Sequence, residues 1–167
     1  MKSAKVIIIG AGPVGTFAAY CLAEYGIETL VLESESTCET DMRASTFHPS
    51  TLKYLDNLNL ADELIEKGLK APIFQYRIRS TDEVLEFNLQ ELDDVLDFPF
   101  RLQCEQYKFA RMLAGKLDHH RHSSVLFNRK LINFSEGKNK VTLDVDHHGT
   151  SEQYRCDYLI GADGANS

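Results

Sequence analysis

The sequence carries no block of lysine and arginine. With 25 acidic against 18 basic side chains in 167 residues and a formal net charge of −7, nucleic acid and anionic membrane are poor candidate partners. No C-x-x-C pair occurs among Cys21, Cys38, Cys104 and Cys156. That spacing suits reduced thiols in a cytoplasmic protein better than a disulfide framework. No apolar run is long enough to span a bilayer. Lys2 and Lys5 ahead of an apolar stretch reaching Ala23 imitate a signal peptide, but Gly10, Gly12, Pro13 and Gly15 interrupt it where such a segment is continuous. His119, His120 and His122 have no acid or cysteine at a matching offset, so they read as a solvated helix end and no metal is assigned. Neither a repeat nor a Ser/His/Asp or Cys/His arrangement is readable, and no catalytic residue is assigned.

What is present is concentrated at the start. Ala4–Ile9 is a continuous β-branched run, the pattern of a strand buried on both faces in a parallel sheet. It ends in Gly10-Ala11-Gly12-Pro13-Val14-Gly15. Val14, Phe17, Ala18, Cys21, Leu22 and Tyr25 then recur at helical spacing and predict the buried face of a helix stopped by Gly26. Thr29–Leu32 is a second strand that delivers Glu33 at its tip. Such a βαβ unit holds a dinucleotide. Its glycines give a tight turn, backbone access to a pyrophosphate and close helix–strand packing, and its acid accepts from a ribose. Phosphate charge is met by unsatisfied N–H groups and the helix dipole, so no lysine is needed.

Further along, His48-Pro49-Ser50 opens a helix with Leu52, Leu55 and Leu58 on one side. Ala61–Lys67 is a second helix. Ile73–Arg79 and Val84–Asn88 alternate and form an antiparallel pair, and Phe98–Leu102 is a third extended piece. Glu105–Leu117 is helical, with Phe109, Met112, Leu113 and Leu117 inward, and Val125–Phe127 is a short strand. Leu131–Glu136, Lys140–His147 and Ser151–Asp157 make a three-stranded meander, and Tyr158–Ile160 is a separate buried strand. Three polar residues beyond the glycine turn have two readings each. Arg43 pairs with a phosphate or is a solvated loop cation. Gln103 reaches a ligand or caps the following helix. Asp163, in Gly161-Ala162-Asp163-Gly164, lies where open α/β sheets bind ligands or belongs to an ordinary turn.

Together these segments resemble the FAD-dependent aromatic hydroxylases, the flavoprotein monooxygenases typified by p-hydroxybenzoate hydroxylase. The resemblance rests on the glycine turn with Glu33, on Arg43-Ala44-Ser45-Thr46-Phe47-His48-Pro49, on Phe100-Arg101-Leu102-Gln103 and on Gly161-Ala162-Asp163-Gly164-Ala165-Asn166-Ser167. It implies an α/β, Rossmann-like FAD-binding fold with a parallel sheet, a three-stranded meander and a partial antiparallel sheet on the substrate side. The FAD-binding domain would take residues 1–70 and 103–167, with 71–102 an excursion into the substrate-domain sheet. Gly10, Gly12, Pro13, Val14 and Gly15 would face the pyrophosphate and Glu33 the adenosine ribose. Arg43 and Gln103 would contact the pyrophosphate–ribityl region, as would Asp163, and the backbone of Leu131 the adenine. The implied activity is hydroxylation of a small phenol-like substrate with O2 and NAD(P)H. Members of that family are longer, so the chain is expected to be the N-terminal part of such an enzyme. The rival readings are an NAD(P)-dependent dehydrogenase, and a non-catalytic folded fragment, perhaps a homo-oligomer.

Overall fold

The computed structural model describes residues 2–38, 40 and 44–165. The chain opens with strand β1 (Lys2–Ile9), helix α1 (Pro13–Glu24), β2 (Thr29–Leu32) and β3 (Thr46–Phe47). Helices α2 (Pro49–Asp56) and α3 (Ala61–Glu66) follow, then β4 (Leu69–Ala71), β5 (Ile73–Ile78), β6 (Glu83–Asn88) and a 3-10 turn at Leu89–Leu92. The remainder is β7 (Arg101–Gln103), α4 (Gln106–Asp118), β8 (Ser123–Leu126), β9 (Lys130–Glu136), β10 (Val141–His147) and β11 (Thr150–Gly161). These elements fall into two compact units, Met1–Asp41 with Phe109–Ser167, and Met42–Lys108.

The first unit is built on a six-stranded sheet in the order β8-β2-β1-β11-β10-β9. Strands β8, β2, β1 and β11 are parallel, whereas β10 runs antiparallel to both of its neighbours, β11 and β9. The apolar run of β1 explains its central place: Val6, Ile7, Ile8 and Ile9 are all buried. Val6, Ile8 and Val31 pack with Ala19 and Ala23 of α1 and with Ala110, Ala114 and Leu117 of α4. Ile7, Ile9, Leu30 and Leu32 share a second cluster with Leu143, Val145 and Tyr154. The alternation in β10 thus buries Leu143 and Val145 as expected.

Two expectations are corrected. The buried face of α1 is not the large apolar stripe but Gly15, Thr16, Ala19 and Ala23. Val14 and Tyr25 are 70% and 85% exposed, because a helix lying close on a sheet is selected for small side chains at the contact. The meander and the last strand are also one element. Strand β11 pairs antiparallel with β10 from Thr150 to Cys156 and parallel with β1 from Tyr154 to Gly161. Tyr158, expected inside, is 64% exposed.

In the second unit α2 buries Leu52 and Leu55 and α3 buries Leu64, whereas Leu58, expected on the first helix, lies past its end at Asp56. The antiparallel portion divides in two. Strand β7 pairs with β3 and β4, and the β5–β6 hairpin stands as a separate pair. Along one face of that hairpin Phe74 stacks on Phe87 at 5.0 Å, with Tyr76 edge-on to both. Four free cysteines are present, with Cys38, Cys104 and Cys156 buried.

Candidate cofactor-binding site

The glycine turn sits at the C-terminal ends of β1 and β11, where the chain order of the parallel strands reverses. Ligands bind at such points in open α/β sheets. The N–H of Gly10 donates to the Leu32 carbonyl at 2.8 Å, and that of Ala162 donates to Ile9 at 2.8 Å. Gly10 has φ +104°, and a Cβ there would lie 2.5 Å from the Ala162 carbonyl oxygen. A Cβ on Gly15 would lie 2.0 Å from the carbonyl oxygen of Gly10. Both positions therefore exclude a side chain for reasons internal to the protein. Gly12 differs, since a Cβ there meets nothing within 4 Å. Its bare backbone faces open space.

Gly12 is also the N-cap of α1, with no side-chain cap, and Pro13 follows at the first helical position. The first turn holds no acidic residue. The first backbone bond of the helix is Thr16 N–H to Gly12 at 3.0 Å, and no protein acceptor meets the N–H groups of Val14 and Gly15 among the described residues. Unpaired donors, a helix dipole and an uncovered glycine fit a pyrophosphate.

Glu33 leaves the tip of β2 with its carboxylate already organised. Oε2 accepts the Ala11 N–H at 2.6 Å. Oε1 accepts the Glu35 N–H at 3.0 Å and the Ser34 hydroxyl at 3.1 Å. Each oxygen keeps lone-pair capacity, so the group ties the glycine turn to β2 and can still accept from a diol. Burial pushes the Cys38 thiol up, and the Glu33 charge acts in the same direction.

The turn after β8 crosses this tip. Arg129 N–H donates to the Glu33 carbonyl at 2.7 Å, and Asn128 N–H donates to Glu35 at 2.9 Å. Leu131 begins the meander two residues on, half-buried opposite Val145. The Arg129 side chain bonds Glu152 at 2.9 Å and Tyr154 at 3.3 Å. Sequence reasoning missed this group, and an isolated arginine at the start of a meander offers no signal for it. Asp163 lies two residues past the end of β11, its Cα 3.0 Å from where a Gly10 Cβ would be.

Gln103 belongs to the second unit, on β7, where its Oε1 accepts the Thr46 hydroxyl at 3.0 Å. That oxygen is turned to β3 and does not cap the following helix. Arg43 lies outside the described residues, as do Asn166 and Ser167 of the last motif. His119 Nδ1 is 2.9 Å from the Gly115 carbonyl oxygen in the last turns of α4. Among the described residues no three potential ligands cluster for a metal, and no helix is long and apolar enough to cross a membrane. A cleft of about 310 Å³ lined by Thr37, Cys38, Arg111, Gly115 and Phe127 shares no residue with the glycine turn.

A βαβ unit with an open second glycine, free helix N–H groups and an acid at the tip of its second strand defines a dinucleotide-binding domain. Residues 3–167 match the FAD binding domain family, and the chain belongs to that family. This decides for FAD over a dehydrogenase's nicotinamide dinucleotide as the resident group. The chain is 32% identical over 163 residues to 6-hydroxy-3-succinoylpyridine 3-monooxygenase HspB of Pseudomonas putida (strain DSM 28022 / S16), covering 98% of this chain and 42% of that one. It is 25% identical over 162 residues to para-nitrophenol 4-monooxygenase of Pseudomonas sp. (strain WBC-3), covering 97% and 40%. The crystal structure of p-nitrophenol 4-monooxygenase PnpA from Pseudomonas putida DLL-E4 superposes with a TM-score of 0.91 at 26% identity, covering 100% of this chain and 42% of that one. The chain thus spans about two fifths of the length of these relatives.

Proposed function

We propose that this chain is the FAD-binding part of a flavin-dependent monooxygenase that hydroxylates a small phenol-like ring with NAD(P)H and O2. The observation that carries the reading is the convergence of the uncovered Gly12 backbone, the unpaired N–H groups of α1 and the Glu33 carboxylate. Bound FAD would supply the redox chemistry, taking a hydride from the nicotinamide and activating O2 for insertion into the ring. The residues of this chain bind and orient it. Gly10, Gly12, Pro13, Val14 and Gly15 hold the pyrophosphate, Glu33 accepts from the adenosine ribose, and the backbone of Leu131 meets the adenine. Asp163, Gln103 and Arg43 serve the ribityl and pyrophosphate side, and residues 71–102 contribute to the substrate side. Free thiols and a nicotinamide co-substrate suit the cytoplasm.

The test is titration of the purified chain with FAD, followed by flavin absorbance and fluorescence. Saturable uptake, abolished by Gly12→Val, is the expected result. A chain that takes up no FAD, or takes it up equally after that substitution, overturns the reading.

A further inference from the structure

We propose that Arg129 is a positioning residue for the adenosine end of the FAD site, its guanidinium tying the β8–β9 turn to β11 while its backbone N–H holds that turn to the tip of β2. This role rests on the FAD reading above. The guanidinium reaches two elements at once. Its Nε donates to Glu152 Oε2 at 2.9 Å and lies 3.3 Å from the Tyr154 hydroxyl, both on β11. Its Nη1 donates to the carbonyls of Phe127 and Asn128 at 3.1 and 3.3 Å. The backbone of the same residue donates to the Glu33 carbonyl at 2.7 Å, and that of Asn128 to Glu35 at 2.9 Å.

Three features make this a clamp and not an ordinary surface ion pair. Tyr154 is fully buried, and its hydroxyl donates to the same Glu152 oxygen at 2.5 Å, so the anchor on β11 is fixed. The Arg129 side chain is only 12% exposed. Asn128 has φ +54°, a left-handed conformation that an asparagine adopts at some cost, and the guanidinium bonds its carbonyl directly. The turn therefore holds its shape because a planar, many-donor group spans the gap, which a lysine ammonium cannot do. Glu33 and Leu131 lie on either side of this turn, so one side chain sets the spacing between the ribose acceptor and the adenine contact.

The experiment compares the intact chain with Arg129→Lys in two readouts. Lysine keeps the charge opposite Glu152 but cannot also hold both carbonyls. In the ligand-free protein, amide hydrogen exchange at Asn128 and Arg129 should rise, while the strand amides of β1 stay protected. FAD titration should show roughly tenfold weaker binding, the value of a charge-assisted bond. Glu152→Gln, which keeps the shape and releases the guanidinium, should shift both readouts in the same direction and serves if the lysine variant fails to fold. Wild-type exchange and wild-type FAD affinity in a folded variant overturn the clamp. A parent chain that takes up no FAD overturns the functional reading, and the role with it, even where exchange at the turn responds.

Discussion

The N–H of Ala11 donates to the Glu33 carboxylate at 2.6 Å, so the acid that closes β2 is bonded to the turn that closes β1. One side chain is the strut of the cradle and, on the proposed function, the ribose acceptor as well. Replacing it by alanine orphans the N–H groups of Ala11 and Glu35 and removes the proposed ribose acceptor. Glu33→Ala is expected to weaken FAD binding by about 1.5–3 kcal/mol, the range for a hydrogen bond to a charged group. Calorimetric titration of FAD checks it, and unchanged affinity would remove Glu33 from the site.

Gly12 and Gly15 should separate stability from binding. At Gly15 a Cβ would stand 2.0 Å from a backbone oxygen that cannot yield cheaply. Gly15→Ala is expected to cost about 1–3 kcal/mol or more in denaturant unfolding of the ligand-free chain. At Gly12 the same methyl enters open space, and its φ of −70° with ψ −180° is a conformation alanine adopts freely. Gly12→Ala should leave unfolding nearly unchanged while weakening FAD uptake. Equal destabilisation by both substitutions would contradict this geometry.

Acid should weaken the protein through Glu152. The Tyr154 hydroxyl, with help from Arg129 and Lys2, holds this carboxyl at about 2 against an ordinary 4.5. Because the folded value is the lower one, the stabilisation is complete above about pH 4.5 and is lost as the pH falls toward 2. His147 Nδ1, at 3.4 Å from the other oxygen, faces the same carboxylate. Glu152→Gln should flatten the fall in unfolding free energy across that window. A variant whose acid profile parallels the parent's would assign the loss to other groups.

Residues 34–42 contain Glu35, Glu39 and Asp41 and no lysine or arginine. The extra phosphate of NADPH is disfavoured beside such a stretch. On the proposed function, the monooxygenase that contains this chain is expected to turn over faster with NADH, and steady-state rates with the two co-substrates check it. Equal or faster turnover with NADPH would place the nicotinamide dinucleotide elsewhere.

The glycine turn, β1, β2 and Glu33 were legible because each obeys a local rule of spacing. The face of α1 was not. Its period was visible, but apolar size pointed to Val14 and Tyr25, whereas contact distance to the sheet selected Ala19 and Ala23. Strand β11 reads as two pieces in sequence because its pattern changes where its neighbours change, from β10 on one side to β1 on the other. The Arg129 clamp was hidden for another reason. Its acceptor Glu152 lies 23 residues away on a different strand, and no periodicity relates a turn to the edge of a meander.

The long strand β11 also sets an order of events. Lys2 pairs with Tyr154 and Ile9 with Gly161, so β1 waits for a twelve-residue strand whose matching residue lies 152 positions further along the chain. Until then β1 has β2 on one side and an open edge on the other, and the wall that Ala162 lends to Gly10 does not exist. The cofactor cradle therefore closes only once both strands have been made. Long-range parallel pairing of this kind closes slowly and leaves strand edges exposed meanwhile, so a translation product interrupted before β11 would hold the glycine motif from the β2 side alone.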